Sequence, residues 1–153
     1  MRSRASSLAV VITVKRTLVV NVPAERIYPY LADFTTADEW DSGTVSCTLA
    51  SGDGGVGSTY TNVSKFLGRE TTLTYVVTAL EQDRLISWKG ENKSVISDDT
   101  ITLTPSGSGT EVTYLAEFTF KGFAKYLGVV MTPALNRLGD KTQETLRDAL
   151  IRL

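Results

Sequence analysis

The chain contains no histidine. That absence removes Ser-His-Asp and Cys-His nucleophilic catalysis, the usual zinc sites, and the side chain best matched to proton transfer near neutral pH. Cysteine is almost as scarce. Cys47 stands alone, so no intrachain disulfide can form, and a reducing, cytoplasmic setting is expected. No charge sign predominates: 16 basic and 17 acidic residues give a net charge of -1. The basic residues are scattered, so neither nucleic acid nor an anionic membrane is expected as an electrostatic partner. Long hydrophobic runs are missing as well, and nothing approaches the ~20 apolar residues of a bilayer span, which argues against stable membrane insertion. There are no internal repeats, no disordered linker and no cofactor fingerprint. One domain over 1–153 with no cofactor and no metal is the expectation, at a size where folding buries roughly 70% of the unfolded surface.

What is present has a clear order. Met1-Arg2-Ser3-Arg4 followed by Ala5 to Val14 superficially resembles a secretory signal. Its apolar run is short, polar-interrupted and closed by Lys15-Arg16, so a first strand with a frayed lead-in over 1–8 is preferred. Residues 8 to 22 are dense in Val, Ile, Leu and Thr, and they end at Pro23, which suits the first turn of a helix. Ala24 to Leu31 follows with Ile27, Tyr28 and Leu31 at helical spacing. A second short helix over Thr35 to Trp40 is expected, capped by Thr35 or Thr36.

From 44 to 120 the period changes to two. Val45, Cys47 and Leu49 alternate, then Tyr60, Asn62, Ser64 and Phe66, then Leu73, Tyr75 and Val77. A run over Leu85 to Trp88 comes next, then Ile101 and Leu103, and finally Val112, Tyr114, Ala116, Phe118 and Phe120. The cluster Gly52-Asp53-Gly54-Gly55-Val56-Gly57 precedes a strand rather than a helix, so it is no dinucleotide fingerprint and reads as a loop near a cavity mouth. The remainder has helical period: Leu127, Met131, Leu135, Leu138, Thr142, Leu146, Ala149 and Leu153 make one apolar stripe. Pro133 marks a kink or a helix start, with the helix running from there to Leu153.

The architecture is therefore α+β: one strand, two short helices, six strands in hairpin succession and a long helix. A single stripe must pack on the apolar face of the sheet, so the sheet must curve around it. A void left between them would be a binding cavity.

Several short segments carry a resemblance. Val20-Asn21-Val22-Pro23-Ala24-Glu25-Arg26-Ile27-Tyr28, Leu31-Ala32-Asp33-Phe34 with Glu39-Trp40-Asp41, Gly57-Ser58-Thr59-Tyr60, and Gly109-Thr110-Glu111-Val112-Thr113 fall in the order found in one superfamily. Over about residues 12 to 152, by this motif reading, the chain resembles the START-like superfamily, also called SRPBCC or helix-grip, in its polyketide cyclase/dehydratase and lipid-transport branch. The resemblance implies a seven-stranded curved antiparallel sheet gripping a long C-terminal helix, with two short helices between strands one and two. It also implies an internal pocket for a small apolar molecule. It carries over no catalytic residue.

Candidate ligand-binding residues lie on the inward faces and the helical stripe: Tyr60, Asn62, Tyr75, Trp88, Asp99, Tyr114, Phe118, Met131 and Leu135. Aromatic walls with a few fixed polar groups suit apolar ligands, although each aromatic taken alone is as well explained as core filler. Asn62 and Ser64 need partners if buried: a ligand hydroxyl, a water, Tyr60, or solvent at an open rim. Asp99 is in phase with Ile101 and Leu103, which would make it a general base or a partner for Arg69. A loop over Asn92 to Asp98 would break that phase and favours an exposed turn position instead. Trp40 reads as a core plug and Cys47 as a buried, inert thiol. A carrier or sensor of an apolar molecule ranks first, a cyclase or dehydratase-type enzyme second and a protein-interaction module third. Nothing in the sequence specifies the ligand or the oligomeric state.

Overall fold

A computed structural model of the chain describes residues 10–153, and the expected lead-in over 1–8 lies outside the described residues. Strand β1 (Val10–Val20) leads into helix α1 (Ala24–Ala32), a 3-10 turn over Phe34–Thr36, and helix α2 (Ala37–Trp40). Six strands follow: β2 (Thr44–Ser51), β3 (Thr59–Phe66), β4 (Arg69–Glu81), β5 (Leu85–Glu91), β6 (Val95–Ser106) and β7 (Gly109–Phe120). A second 3-10 turn over Gly122–Ala124 precedes helix α3 (Lys125–Ile151). The strands form one antiparallel sheet in the order β1-β7-β6-β5-β4-β3-β2. The first two strands thus lie on opposite edges, and the helical segment between them must cross the sheet to connect them.

That crossing fills one end of the concave face. Helix α1 buries Ile27 and Leu31, and behind it Phe34, Ala37 and Trp40 descend onto the sheet. The Phe34 ring stacks on Trp88 at 4.5 Å and meets Tyr75 and Tyr60 edge-on at 5.0 and 5.6 Å. Trp40 lies 6.2 Å from both Trp88 and Tyr114. Burying each such aromatic contributes about 1.5–3 kcal/mol, and offset or edge-on ring pairs add to that.

Helix α3 makes its close approaches at β1 on one side and at the end of α2 on the other. At β1, a Cβ on Gly139 would fall 2.4 Å from Val14, so the backbones are as near as a glycine permits. Arg16 donates to Asp140 and to the Asn136 carbonyl, Gln143 to the Thr17 carbonyl, and Arg147 to the Val19 carbonyl. On the other side, Thr145 donates to the Trp40 carbonyl at 2.6 Å, and Ser42 bonds Thr142 at 2.8 Å and the Leu138 carbonyl at 3.3 Å. Held by β1 and by the end of α2, the helix bridges the middle of the curved sheet instead of settling into it.

Three expectations are corrected. Helix α3 begins at Lys125, and Pro133 lies inside it. The ring faces solvent, and nearby carbonyls find side-chain partners, Gly128 from the Thr132 hydroxyl and Thr132 from the Asn136 amide. The 3-10 turn before α2 is capped by Asp33, whose carboxylate accepts from the Thr35 N–H at 3.1 Å, while Thr36 holds the N-cap position of α2 as expected but makes no capping hydrogen bond. Thr36 uses its hydroxyl differently, donating to the Tyr30 carbonyl and accepting from the Trp40 indole N–H at 3.2 Å. In β2 the alternation fails. Cys47 is buried, but Val45 and Leu49 are exposed: the register shift at Thr44/Ser46 leaves Val45 as the bulged residue, whereas Leu49 keeps the phase of Cys47 and is uncovered on the edge strand. Among the described residues, no helix is long and apolar enough to cross a membrane.

Candidate functional site

The bridged space is a cavity of about 570 Å³ between α3 and strands β3, β4, β6 and β7. Small-molecule sites typically span roughly 300–1,000 Å³. Its long axis follows the strands. At one end the lining residues Leu67, Arg69, Thr71, Leu127 and Val130 are exposed and form a mouth between the β3–β4 turn and the start of α3. The middle is apolar, with Leu73 and Phe118 on the sheet and Met131 and Leu135 on the helix. The floor is polar: Tyr75, Ser97, Asp99, Tyr114 and Asp41. A hollow of about 20 Å³ adjoins the floor at Asp41, Tyr114 and Thr142, enough for about one water.

The floor follows from strand register. Tyr75, Gly90, Ser97 and Phe118 are neighbours across β4, β5, β6 and β7, on the inward face. Gly90 leaves room for the Tyr75 ring to lie over β5, since a Cβ there would stand 2.5 Å from Tyr75 Cζ. So placed, the Tyr75 hydroxyl reaches Asp99 Oδ2 at 3.4 Å, while Ser97 donates to Asp99 Oδ1 at 2.7 Å. Burial pushes the Asp99 carboxyl up to about 7; nearby Asp41 adds to the rise, and the Ser97 and Tyr75 hydrogen bonds partly oppose it. Asp41 is also raised, by burial, against hydrogen bonds from the Gly43 N–H and the Thr44 and Thr142 hydroxyls. Burial and the charge of Asp99 raise the Tyr75 and Tyr114 phenols well above their ordinary range. The Tyr114 hydroxyl has no hydrogen-bond partner among the described residues, although Tyr114 is only 7% exposed.

Of the residues singled out from sequence, Tyr75, Asp99, Tyr114, Phe118, Met131 and Leu135 line this cavity. Tyr60, Asn62 and Trp88 do not. The Phe34–Trp40 segment covers their end of the sheet and incorporates Tyr60 and Trp88 into packed core. Asn62 is satisfied within the protein, donating to Thr44 at 3.1 Å and accepting from Ser64 at 2.6 Å. Asp99 is not on a turn: β6 begins at Val95, so the β5–β6 connection is shorter than expected and the inward phase survives. Arg69 is not its partner, for Arg69 sits at the mouth and Asp99 at the floor. The glycine-rich segment 52–57 lies away from the mouth, because β3 runs from that loop toward the β3–β4 turn.

Sequence reasoning missed Asp41 and Ser97. The one local signal was Asp41-Ser42-Gly43 after a helix, a pattern in which the carboxylate bonds the N–H two residues on. No group of three or more His, Cys, Asp or Glu among the described residues could hold a metal ion.

A curved seven-stranded sheet closed over a cavity by its last helix is the helix-grip arrangement of START-like, or SRPBCC, proteins. The chain belongs to the family described as polyketide cyclase / dehydrase and lipid transport, whose family model matches residues 11–150. Comparison with curated proteins gives no match. Among solved structures, the chain is similar to TTHA0849 from Thermus thermophilus, with a TM-score of 0.76 at 13% identity over 92% of this chain and 97% of that one. It is also similar to the Zhui aromatase/cyclase from Streptomyces sp. R1128, with a TM-score of 0.74 at 14% identity over 94% and 93% of the two chains. The di-domain ARO/CYC BexL of the BE-7585A biosynthetic pathway gives a TM-score of 0.68 at 15% identity, over 92% of this chain and 50% of that one. At these identities the likeness shows the fold. Membership of the family supports a ligand-binding or cyclase role.

Proposed function

We propose that the chain binds a small hydrophobic molecule (a lipid, polyketide or aromatic compound) in this cavity, as a carrier or sensor. One observation carries the reading: the space between sheet and helix is unfilled, and its middle is walled by Leu73, Phe118, Met131 and Leu135. Close packing is the rule for protein interiors, and an opened apolar void gains favourable contacts when a ligand occupies it. Tyr75, Asp99 and Tyr114 supply the few polar groups that fix a ligand's orientation. The buried, lone Cys47 supports a reducing, cytoplasmic setting.

The test has two arms. Organic extraction and mass spectrometry of purified protein should recover a bound apolar molecule, or a hydrophobic fluorophore should bind saturably and be displaced by members of a lipid and aromatic panel. Met131→Trp, filling the half-buried middle of the cavity, should abolish that binding. Failure to bind any panel member or the fluorophore would overturn the proposal.

A second reading, an enzyme of cyclase or dehydratase type, has one specific observation in its favour. The Asp99 carboxyl, held at about 7 beside the Tyr75 hydroxyl, is poised to give or take a proton near neutral pH. Turnover of a polyketide-like chain that is lost in Asp99→Asn while binding persists would favour this reading over the first.

A further inference from the structure

The polarity of the cavity selects among apolar ligands. Arg69 lies opposite Phe66 in the β3–β4 register, so it shares the inward face at the mouth. Among the described residues it forms no ion pair. From Arg69 to Tyr75 on the same strand face is about 20 Å of extended chain, with apolar wall between. No cation lines the floor, which already holds the buried Asp41 and Asp99 carboxyls, so a ligand carboxylate would find no counter-charge there. The hydrogen-bonding capacities there are also uneven. Asp41 accepts from Gly43, Thr44 and Thr142, and Asp99 from Ser97 and Tyr75. Tyr114, with no partner, is left with an O–H to donate. That hydroxyl opens onto the cavity, where a ligand acceptor can take the hydrogen bond.

Building on the binding proposed above, we infer that the ligand is an elongated molecule with a neutral oxygen acceptor, a ketone or similar carbonyl, seated at the floor against Tyr114, and an anionic group left at the mouth beside Arg69. The floor takes the carbonyl because it offers a donor without a counter-charge. The mouth takes the anion because Arg69 is charged and free there. The middle is indifferent to chain chemistry, provided that it is apolar.

The test is a titration of the intact protein with four probes: a sixteen-carbon fatty acid, the same acid with a ketone on its penultimate carbon, the methyl ester of that keto acid, and the same acid ending in an amine. The keto acid should bind about tenfold tighter than the plain acid, the equivalent of one good hydrogen bond. Tyr114→Phe should erase that preference without lowering the melting temperature, because its hydroxyl bonds nothing in the protein. Arg69→Gln should erase the preference for acid over ester and leave the ketone preference intact. Equal binding of acid and keto acid, or tighter binding of the amine, would overturn the inference while leaving the binding function standing. If neither the probes nor a hydrophobic fluorophore bind, the proposed function itself falls.

Discussion

Replacing Asp99 with asparagine should make the protein more stable at neutral and alkaline pH. Asp99 is 6% exposed, and burial lifts its carboxyl from 3.8 to about 7. The folded chain therefore keeps this proton up to about pH 7, whereas the unfolded chain loses it near 4. Between those values the folded state binds more protons, so stability falls as pH rises through the window and levels off above it. At 1.36 kcal/mol per pH unit, the full window corresponds to about 4 kcal/mol, and the portion from pH 5 to 7 to about 3 kcal/mol. The substituted asparagine is neutral throughout. It can accept from Ser97 through its carbonyl and donate to Tyr75 through its amide, so the local hydrogen bonds survive. Removing the charge also relieves Asp41, which adds in the same direction. Urea unfolding followed by fluorescence of the buried Trp40 and Trp88, at intervals from pH 5 to 8, measures both proteins. Taking the difference between them cancels the titration of shared groups. The gap should open by about 3 kcal/mol in favour of Asp99→Asn as pH rises. Parallel curves would refute the raised carboxyl and with it the proton-transfer reading of the floor.

Three further outcomes follow from the geometry. Gly90→Ala places a methyl 2.5 Å from Tyr75 Cζ; it should cost about 1–3 kcal/mol in urea unfolding and weaken fluorophore uptake by displacing the floor. Leu67 turns the β3–β4 hairpin at φ +52 with its side chain in solvent; Leu67→Asn should raise stability by about 1 kcal/mol, since asparagine tolerates this conformation, and a shift in midpoint without change in slope checks it. Cys47, its thiol pushed up to about 11 by burial, should resist alkylation at pH 8 in the native protein and react fully once unfolded.

Local pattern in the chain was enough to place most elements and their faces. Period-two alternation in β3, β4, β6 and β7 and the stripe in α3 are local statements about which side of an element sheds water, and such statements survive folding. Tyr75, Tyr114, Phe118, Met131 and Leu135 could be placed inward on that basis, whereas Asp99, though in phase, reads as a turn residue, because the length of the β5–β6 connection is not written in the period. Alternation misled in β2, where a register shift puts Val45 in solvent and Leu49, though in phase with Cys47, is uncovered on the edge strand, because neither a bulge nor a sheet edge carries a hydrophobic signature.

Tertiary structure alone decided which inward residues border space and which are packed. Tyr60 and Tyr75 face each other across β3 and β4, and both read from sequence as wall. Only Tyr75 lines the cavity, because the Phe34–Trp40 segment arrives from the opposite edge of the sheet to fill the space beside Tyr60. Asp41 joined the floor by the same long-range route, delivered by a connection that spans the sheet and is bonded to Thr142 about a hundred residues later. Periodicity records which side of an element faces inward. The void depends on how far apart the elements are held, and that distance is set by contacts between residues distant in the chain.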